Sequence, residues 1–142
     1  SSMRELIKEY NFLVEHGVTD GIQFQNLEER FNDKIEATNQ ELRQLDNRLA
    51  RYHKIEGALL AMEQTPENSL PAIQLLDELG VPNDINLADV TQSLKQFELE
   101  KAALQEFFED TLKTYTTYQE MKDTIRSREA VGHKQVSDEK AL

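Results

Sequence analysis

Side chains able to perform catalysis or to bind a metal ion are few in this sequence, and their spacing favours neither. The three histidines, His16, His53 and His133, lack the i, i+4 spacing by which a helix presents two imidazoles to one metal ion. Cysteine and a glycine-rich phosphate loop are both absent, and the carboxylates are spread along the chain instead of being grouped as in an enzyme pocket. We therefore predict a non-catalytic chain, with no catalytic residue, no metal site and no cofactor.

The most unusual charge feature is an acidic stretch between Lys54 and Lys95, which contains no Lys or Arg. Its centre carries a short apolar helical pattern. An acidic surface with an apolar centre suits docking to a basic or apolar surface of a protein partner, although a solvated cap that only closes the fold would show the same pattern. We predict a partner-binding surface, here called the acidic tip, formed by Glu67, Leu70, Ile73, Leu76, Asp77, Glu78 and Asp84.

Two groups of basic residues raise the question of nucleic-acid binding. One group, Arg43, Arg48 and Arg51, lies along a long helical pattern, where we expect acidic residues of a partner helix to neutralise it. The net charge of −11 also opposes binding to phosphate backbones. Direct binding of DNA or RNA is therefore disfavoured. The better local candidate is a short cluster near the end of the chain, Lys122, Arg126, Arg128, His133 and Lys134.

Apolar spacing predicts four helices, at about residues 3–16, 20–64, 69–79 and 86–128. Gly17 is placed to end the first helix in a left-handed turn, and Gly80 closes the third. Thr19 or Asp20 can cap the second helix, Pro71 fits the first turn of the third, and Asn86 can cap the fourth. The first helix is expected to bury an apolar stripe formed by Met3, Leu6, Ile7, Tyr10, Leu13 and Val14.

The second and fourth helices carry coiled-coil seams in which apolar residues recur at steps of three and four. The second helix bears Ile22, Phe24, Leu27, Phe31, Ile35, Thr38, Leu42, Leu45, Leu49, Tyr52, Ile55, Leu59 and Met62. The fourth bears two interleaved series, Leu87, Leu94, Lys101, Phe108, Tyr115 and Lys122, and Val90, Phe97, Leu104, Thr111, Tyr118 and Ile125. Matched lengths and opposite charges favour antiparallel pairing in which facing residue numbers sum to about 149.

The fold class that follows is all-α: an elongated antiparallel helical hairpin or coiled coil, with a short helix at the N-terminus and another at the tip. A composition of 38% hydrophobic and 30% charged residues suits such narrow seams. No apolar run approaches the roughly 20 residues needed to span a bilayer, so a membrane role is not expected. We predict a helical hairpin domain at residues 1–130 and a flexible tail at residues 131–142, with a monomeric hairpin favoured and a homodimer left open.

Residues 5–60 resemble the region that follows the nuclease domain in conjugative relaxases, the mobilisation nucleases of Gram-positive plasmids and integrative conjugative elements. In that region a helix ending in a pattern close to YL-EHG precedes a capped turn and a long helix. The residues that match this pattern are Tyr10, Phe12, Leu13, Glu15, His16, Gly17, Thr19, Leu27, Arg30 and Phe31.

The resemblance implies that this is a C-terminal helical domain with a nuclease domain upstream of Met3. Family relaxases nick DNA at the transfer origin with a catalytic Tyr aided by a metal-binding His cluster, and neither motif is found here. For this part of a relaxase the resemblance implies partner recognition: recruitment of the DNA-linked relaxase to the coupling protein of a type IV secretion system, or to another transfer protein, in the bacterial cytoplasm. The alternatives are a structural coiled-coil adaptor or dimerisation domain of unrelated origin, and an accessory DNA-binding domain.

Overall fold

The computed structural model describes the backbone of residues 2–82 and 84–141, and side chains as far as residue 132. Helix α1 spans Met3–Glu15, α2 spans Gly21–Gln64, α3 spans Leu70–Glu78 and α4 spans Leu87–Ala141. A 3₁₀ turn, Pro66–Asn68, lies between α2 and α3. The described residues contain no strand, and α2 and α4 pack against each other as an antiparallel hairpin. The predicted all-α hairpin is therefore confirmed.

Local sequence signals set the ends of α1. The Ser2 hydroxyl accepts from the Glu5 backbone N–H at 3.2 Å, and the Glu5 carboxylate accepts from the Ser2 N–H at 3.4 Å, which forms a capping box. At the other end Gly17 adopts a positive φ of 65°, and the Val18 N–H donates to the Leu13 carbonyl at 2.8 Å. The predicted glycine stop is thus confirmed, since such a bond is part of a left-handed helix termination.

The connections to α2, α3 and α4 also follow predicted signals. Asp20 accepts from the Gln23 N–H at 2.8 Å and caps α2. Pro71 lies in the first turn of α3, where its missing N–H costs no helical hydrogen bond. Gly80 has a φ of 67° and is followed by a hydrogen bond from the Val81 N–H to the Leu76 carbonyl at 3.1 Å. Asn86 accepts from the Asp89 N–H at 2.9 Å at the start of α4.

The chain divides into two units, each with its own core. The first unit comprises Ser1–Glu36 and Glu109–Leu142. An aromatic group packs at its centre: the ring centroid of Tyr118 lies 5.0 Å from that of Phe24 and 5.6 Å from that of Phe31. These arrangements fall within the range of favourable aromatic pairs. The buried core is Phe12, Leu27, Phe31, Tyr118 and Met121.

The second unit, Ala37–Phe108, pairs the C-terminal part of α2 with the N-terminal part of α4. Tyr52 and Phe97 meet edge to face, with ring centroids 4.9 Å apart. The residue numbers of this pair match the predicted antiparallel register. The buried aliphatic core is Leu45, Leu49, Ile55, Val90 and Leu94.

Most of the predicted seam residues are buried or half-buried, including every member of both series on α4. Ile22 is the exception on α2, with 72% of its surface exposed, because it lies in the first turn. On α2 and α4, two buried residues were outside the predicted seams, Ala58 and Met121. Small and flexible side chains of this kind fill gaps beside a seam without belonging to its repeat.

The predicted apolar stripe of α1 is wrong in its orientation. Phe12, which was not assigned to the stripe, is the buried residue of this helix, and Leu13 is half-buried. The other five stripe residues expose between 43% and 73% of their surface: Met3, Leu6, Ile7, Tyr10 and Val14. Periodicity identified the helix correctly, but an apolar face alone does not specify which neighbour covers it.

The predicted end of the last helix, near residue 128, also differs from the structure, in which α4 continues to Ala141. The apolar pattern fades after Arg128, but the chain contains no Pro there, and Gly132 lies within the helix without a positive φ. Backbone hydrogen bonding can therefore continue beyond the last packed side chains. The division into a hairpin domain at residues 1–130 and a flexible tail at residues 131–142 stays a prediction.

Charged residues of α2 and α4, which were expected to favour the register, make contacts other than the predicted ones. We expected cations of α2 to face anions of α4, yet the Lys101 amine of α4 lies 2.6 Å from the Asp46 carboxylate of α2. Arg48 of α2 places its guanidinium 5.4 Å from the centre of the Phe97 ring, at cation–π distance. Packing of the seam, rather than the predicted charge pattern, therefore accounts for the register.

Candidate protein-interaction surface

The acidic tip is built on α3, which has one face toward the core of the second unit. Ala72 is buried, and Leu76 and Leu79 pack against the aliphatic core formed by α2 and α4. These three residues are spaced i, i+4, i+7 and so share one side of the helix. Leu76, predicted as a partner-binding residue, therefore anchors α3 instead of lying on the open surface.

The opposite side of α3 is open. Leu70 exposes 64% of its surface and Ile73 exposes 49%. Together with Asp77 they are spaced i, i+3, i+7, which places the three side chains on one face. An apolar pair with a carboxylate at its edge is thus presented outward by a helix that is fixed from behind.

The backbone on either side of α3 is held by short-range hydrogen bonds. The Thr65 hydroxyl donates to the Ala61 carbonyl at 2.9 Å, and the Ser69 hydroxyl donates to the Pro66 carbonyl at 2.7 Å. These bonds hold the 3₁₀ turn, which carries Glu67, at the start of α3. The predicted acidic residues of the tip are all exposed: Glu67, Asp77, Glu78 and Asp84.

The charge of this region is one-sided. Residues 55–94 contain seven acidic residues and no Lys, Arg or His. Two of the seven accept side-chain hydrogen bonds: Glu56 accepts from the Thr91 hydroxyl at 3.4 Å, and Asp89 accepts from the Asn86 side-chain amide at 2.9 Å. The tip therefore presents uncompensated negative charge around two exposed aliphatic side chains. That these residues bind a partner stays a prediction.

The basic cluster near the end of α4 is partly neutralised within the first unit. The Lys122 amine lies 2.8 Å from the Glu28 carboxylate, which also accepts from the Tyr115 hydroxyl at 3.5 Å. Hydrogen bonding and charge from Lys122 lower the pKa of Glu28, and the same bond raises the pKa of Lys122. Arg128 forms a bidentate ion pair with Glu9 of α1. Of the predicted cluster, Arg126 is exposed, while the side chains of His133 and Lys134 lie outside the described residues.

Tyr118 anchors the same region. It is fully buried, and its hydroxyl donates to the Phe24 backbone carbonyl at 2.8 Å. Burial raises the pKa of Tyr118, so the hydroxyl keeps its proton. Tyr52, Tyr115 and Tyr118 pack in the seams as predicted, whereas Tyr10 is exposed on α1.

The described histidines have structural surroundings. The His16 Nδ1 atom lies 2.9 Å from the Phe12 carbonyl oxygen, and the two rings stack at a centroid distance of 4.2 Å. In this contact a histidine lies against one of the last carbonyl groups of a helix. His53 is exposed on α2. Among the residues that the structure describes, no three acidic, His or Cys side chains are grouped to hold a metal ion.

Sequence reasoning missed the exposed apolar face of α1. Its residues were recognised, but they were assigned to the core. The signal that would have corrected this is Phe12 together with His16, two ring-bearing residues at i, i+4 on the other side of the helix. Across the described residues, no helix is both long enough and apolar enough to cross a membrane.

Comparisons with known proteins agree with this architecture. Residues 1–124 match the model of a family described as the C-terminal helical hairpin domain from relaxase. The chain is also 32% identical over 124 residues to the group II intron-interrupted relaxase LtrB of Lactococcus lactis subsp. cremoris, both in strain MG1363 and in a second sequence from that subspecies.

The aligned region covers 87% of this chain and 22% of each relative, so the chain spans about a fifth of the length of the curated relatives it matches. No solved structure matches the chain. The family match covers α1, α2, α3 and most of α4, which are the helices that build both cores. The chain therefore belongs to the family of C-terminal helical hairpin domains from relaxases.

Proposed function

We propose that this domain is a non-catalytic protein-interaction domain of a conjugative relaxase. In this role it helps to recruit the DNA-linked relaxase to the coupling protein of the type IV secretion machinery, or to another protein of the transfer complex. Recruitment takes place in the bacterial cytoplasm, before the DNA is transferred. The domain supplies binding energy and orientation, and the nicking chemistry belongs to another part of the relaxase.

The observation that carries this proposal is the outer surface of the acidic tip. Leu70 and Ile73 are exposed on a helix whose other face is anchored in a core, and the same helix carries the exposed carboxylates of Asp77 and Glu78. Exposed aliphatic residues on a fixed helix can enter a partner's pocket without losing much conformational freedom. Surrounding charge of one sign steers association and selects a complementary partner.

The chemistry of the tip specifies the kind of partner surface. We expect a shallow apolar depression for Leu70 and Ile73, bordered by Lys or Arg residues that pair with Asp77 and Glu78. Long-range attraction by several exposed carboxylates mainly raises the association rate, whereas the two aliphatic side chains mainly slow dissociation. Binding should therefore weaken as ionic strength rises without being abolished.

The direct test measures binding of the purified domain to the coupling protein encoded with its relaxase, by biolayer interferometry. The variant Leu70→Ser combined with Ile73→Ser should weaken binding by about tenfold or more, as expected when central apolar contacts are lost. The matched control is Leu99→Ser, which removes an equally exposed leucine from α4 in the same unit. All three positions are exposed, so the fold should be retained.

A second pair of substitutions tests the charge. Asp77→Asn with Glu78→Gln should reduce the association rate and flatten its dependence on salt, while Glu98→Gln with Glu100→Gln on α4 should change it less. Recruitment by the tip is wrong if the coupling protein and other transfer proteins do not bind the domain, or if the tip variants bind as well as the unchanged chain. Salt-sensitive binding to transfer-origin DNA in their place would favour an accessory DNA-binding role.

A further inference from the structure

Helix α1 carries an exposed apolar face that is separate from the acidic tip and from the proposed recruitment. It consists of Met3, Leu6, Ile7, Tyr10 and Val14, here called the α1 outer face. All five side chains are exposed, with Met3 and Tyr10 the most open. Isolated exposed apolar residues are ordinary, but a contiguous group on one helical face indicates an interaction site.

The orientation of α1 is fixed by its other side. Phe12 is buried in the core of the first unit, His16 stacks on it, and Glu9 is ion-paired with Arg128 of α4. Glu9, Phe12 and His16 are spaced i, i+3, i+7 and so share one side of the helix. With about 100° of rotation per residue, the centre of the α1 outer face lies about 140° around the helix from that anchored side. The α1 outer face therefore points away from the core that buries the other side of α1.

The spacing of the α1 outer face is that of a coiled-coil seam. Met3, Ile7, Tyr10 and Val14 follow one another at steps of four, three and four, which are consecutive d, a, d and a positions of a heptad repeat. Phe12 then falls at an f position, opposite the seam, in agreement with its burial in the core. Such a seam is complementary to another helix with the same repeat.

This seam is complementary to itself. If two α1 helices lie antiparallel, Met3 of one copy faces Val14 of the other, and Ile7 faces Tyr10. Each layer then joins a residue from an a position to one from a d position, as antiparallel pairing requires. The two-fold symmetry repeats both layers, so that all four seam residues of each copy gain a partner.

The residues that flank the seam also allow a second copy of the chain to pack against it. The e and g positions hold Arg4, Leu6, Asn11 and Leu13, of which only Arg4 is charged. In the antiparallel arrangement Arg4 faces Asn11 of the other copy, so no like charges meet. These flanks carry no acidic or basic stripe that would select a partner of opposite charge, in contrast to the acidic tip.

From these observations we propose that the α1 outer face is a homodimer interface, in which α1 of one copy pairs antiparallel with α1 of a second copy. A single pair of short helices buries less area than the roughly 1,200–2,000 Å² of stable complexes, so the dimer is weak, with a Kd in the micromolar range or above. A net charge of −11 on each copy opposes association, and added salt strengthens the dimer by screening that repulsion.

Sedimentation equilibrium of the unchanged chain, from micromolar to near-millimolar concentration, tests the proposal first. The mean mass should rise toward that of a dimer, and more strongly at high salt. Ile7→Glu places a carboxylate in the centre of the seam and should leave the chain monomeric. Ile22→Glu is the matched control, because Ile22 is an exposed isoleucine of the same unit outside α1, and it should behave like the unchanged chain.

The orientation is tested by disulfide formation, which has no background because the chain contains no Cys. A mixture of Met3→Cys and Val14→Cys chains should form the mixed disulfide on mild oxidation, in preference to either homodisulfide. Circular dichroism of each variant verifies that the helices are retained, as their exposed positions lead us to expect.

Three results would overturn the proposal: a monomeric mass at the highest concentration, association that Ile7→Glu leaves unchanged, or homodisulfides without the mixed product. Equal loss of association in Ile7→Glu and Ile22→Glu would also contradict it, because the effect would then not be specific to α1. None of these results bears on recruitment through the acidic tip, which uses residues of the second unit.

Discussion

At the scale of single residues, Tyr118 shows how one side chain joins two helices. Its ring packs with Phe24 and Phe31 of α2, and its hydroxyl donates to a backbone carbonyl of α2. Such a bond contributes about 1 kcal/mol, whereas a buried ring of this size contributes several. The ring should therefore matter more than the hydroxyl.

Substitution of Tyr118 separates these two contributions. Tyr118→Phe should lower the free energy of unfolding by about 1 kcal/mol, because one buried hydrogen bond is lost. Tyr118→Ala should lower it by about 3–5 kcal/mol, because a cavity remains. Urea unfolding monitored by circular dichroism measures both. Tyr10→Phe, at an exposed position, is the control and should change stability by less than about 0.5 kcal/mol; equal effects of Tyr10→Phe and Tyr118→Phe would contradict this account.

The ion pair between Glu28 and Lys122 predicts a pH dependence with a definite sign. The pKa of Glu28 is lowered in the folded chain, so its contribution to stability is complete above the ordinary value of 4.5. It is lost as pH falls below that value and through the folded-state pKa, since the unfolded chain then binds more protons. Lys122, whose pKa is raised, contributes below its ordinary value of 10.5 and loses that contribution as pH rises above it.

Comparison of the unchanged chain with Glu28→Gln isolates this effect from the general relief of charge repulsion in acid. The unchanged chain should be the more stable at pH 7, and the difference should shrink as pH falls below the ordinary value of 4.5 and through the lowered pKa of Glu28. Chemical unfolding at each pH provides the measurement, and Glu29→Gln, an exposed neighbour, is the control. A difference that stays constant over this range would show that the ion pair does not stabilise the fold.

At the scale of elements, α1 and α3 are two short helices that each pack with one side and leave apolar residues on the other. In α3 the sequence showed the apolar residues but not which of them point inward, so Leu76 was assigned to the surface. In α1 the wider apolar stripe was assigned to the core, although the narrower side with Phe12 is the buried one. Hydrophobic periodicity predicts that a helix has an apolar face, whereas the choice of covered face depends on tertiary contacts that are distant in sequence.

The ends of the helices were more predictable than their faces. Caps and glycine turns depend on residues within a few positions of each other, as at Gly17, Asn86 and Asp89. The end of α4 was the exception, because no local stop signal marks it. Ion pairing was the least predictable feature, since long exposed side chains can reach several partners at similar energies, each worth about 1 kcal/mol or less.

Two glycines of the second unit provide a matched test of the turn that ends α3. A Cβ atom added at Gly80 or at Gly57 would meet nothing within 4 Å, but only Gly80 has a positive φ. Gly80→Ala should therefore destabilise by about 1–2 kcal/mol, the cost of a left-handed conformation. Gly57→Ala, within α2, should stabilise by about 0.5–1 kcal/mol. Thermal unfolding of both variants gives the result, and a change of the same sign in both would refute the argument.

At the scale of the whole molecule, the sequence predicted the all-α hairpin and its register, because long repeats constrain where two helices can pair. It did not predict the division into two units with separate cores. The acidic tip could be located from charge alone, since residues 55–94 lack any basic residue. Which tip residues are exposed depended on the packing of α3, which no local pattern encodes.

The predicted boundary of the domain can be tested by shortening the chain. Described side chains from Glu129 to Gly132 are exposed, whereas Ile125 packs on the first core and Arg128 is paired with Glu9. A chain ending at Ala130 should keep its free energy of unfolding within about 0.5 kcal/mol. A chain ending at Asp123 should lose about 2 kcal/mol or more, because it lacks Ile125 and Arg128. Urea unfolding measures the free energy of unfolding of the two shortened chains. Equal losses of this free energy in both would contradict the predicted boundary.

The contrast between the two units has a consequence for the order of folding. In the second unit, contacts such as that between Glu56 and Thr91 close a loop of 35 residues, whereas in the first unit Phe24 and Tyr118 are separated by 94. Closing the longer loop costs more chain entropy, and contacts between distant residues form more slowly. Helices α2 and α4 each pass through both units. Early pairing in the second unit therefore shortens the loop that must close before the remaining segments of these helices can pair. We therefore expect α2 and α4 to begin pairing beside the acidic tip, and the contacts of Tyr118 with α2 to form later.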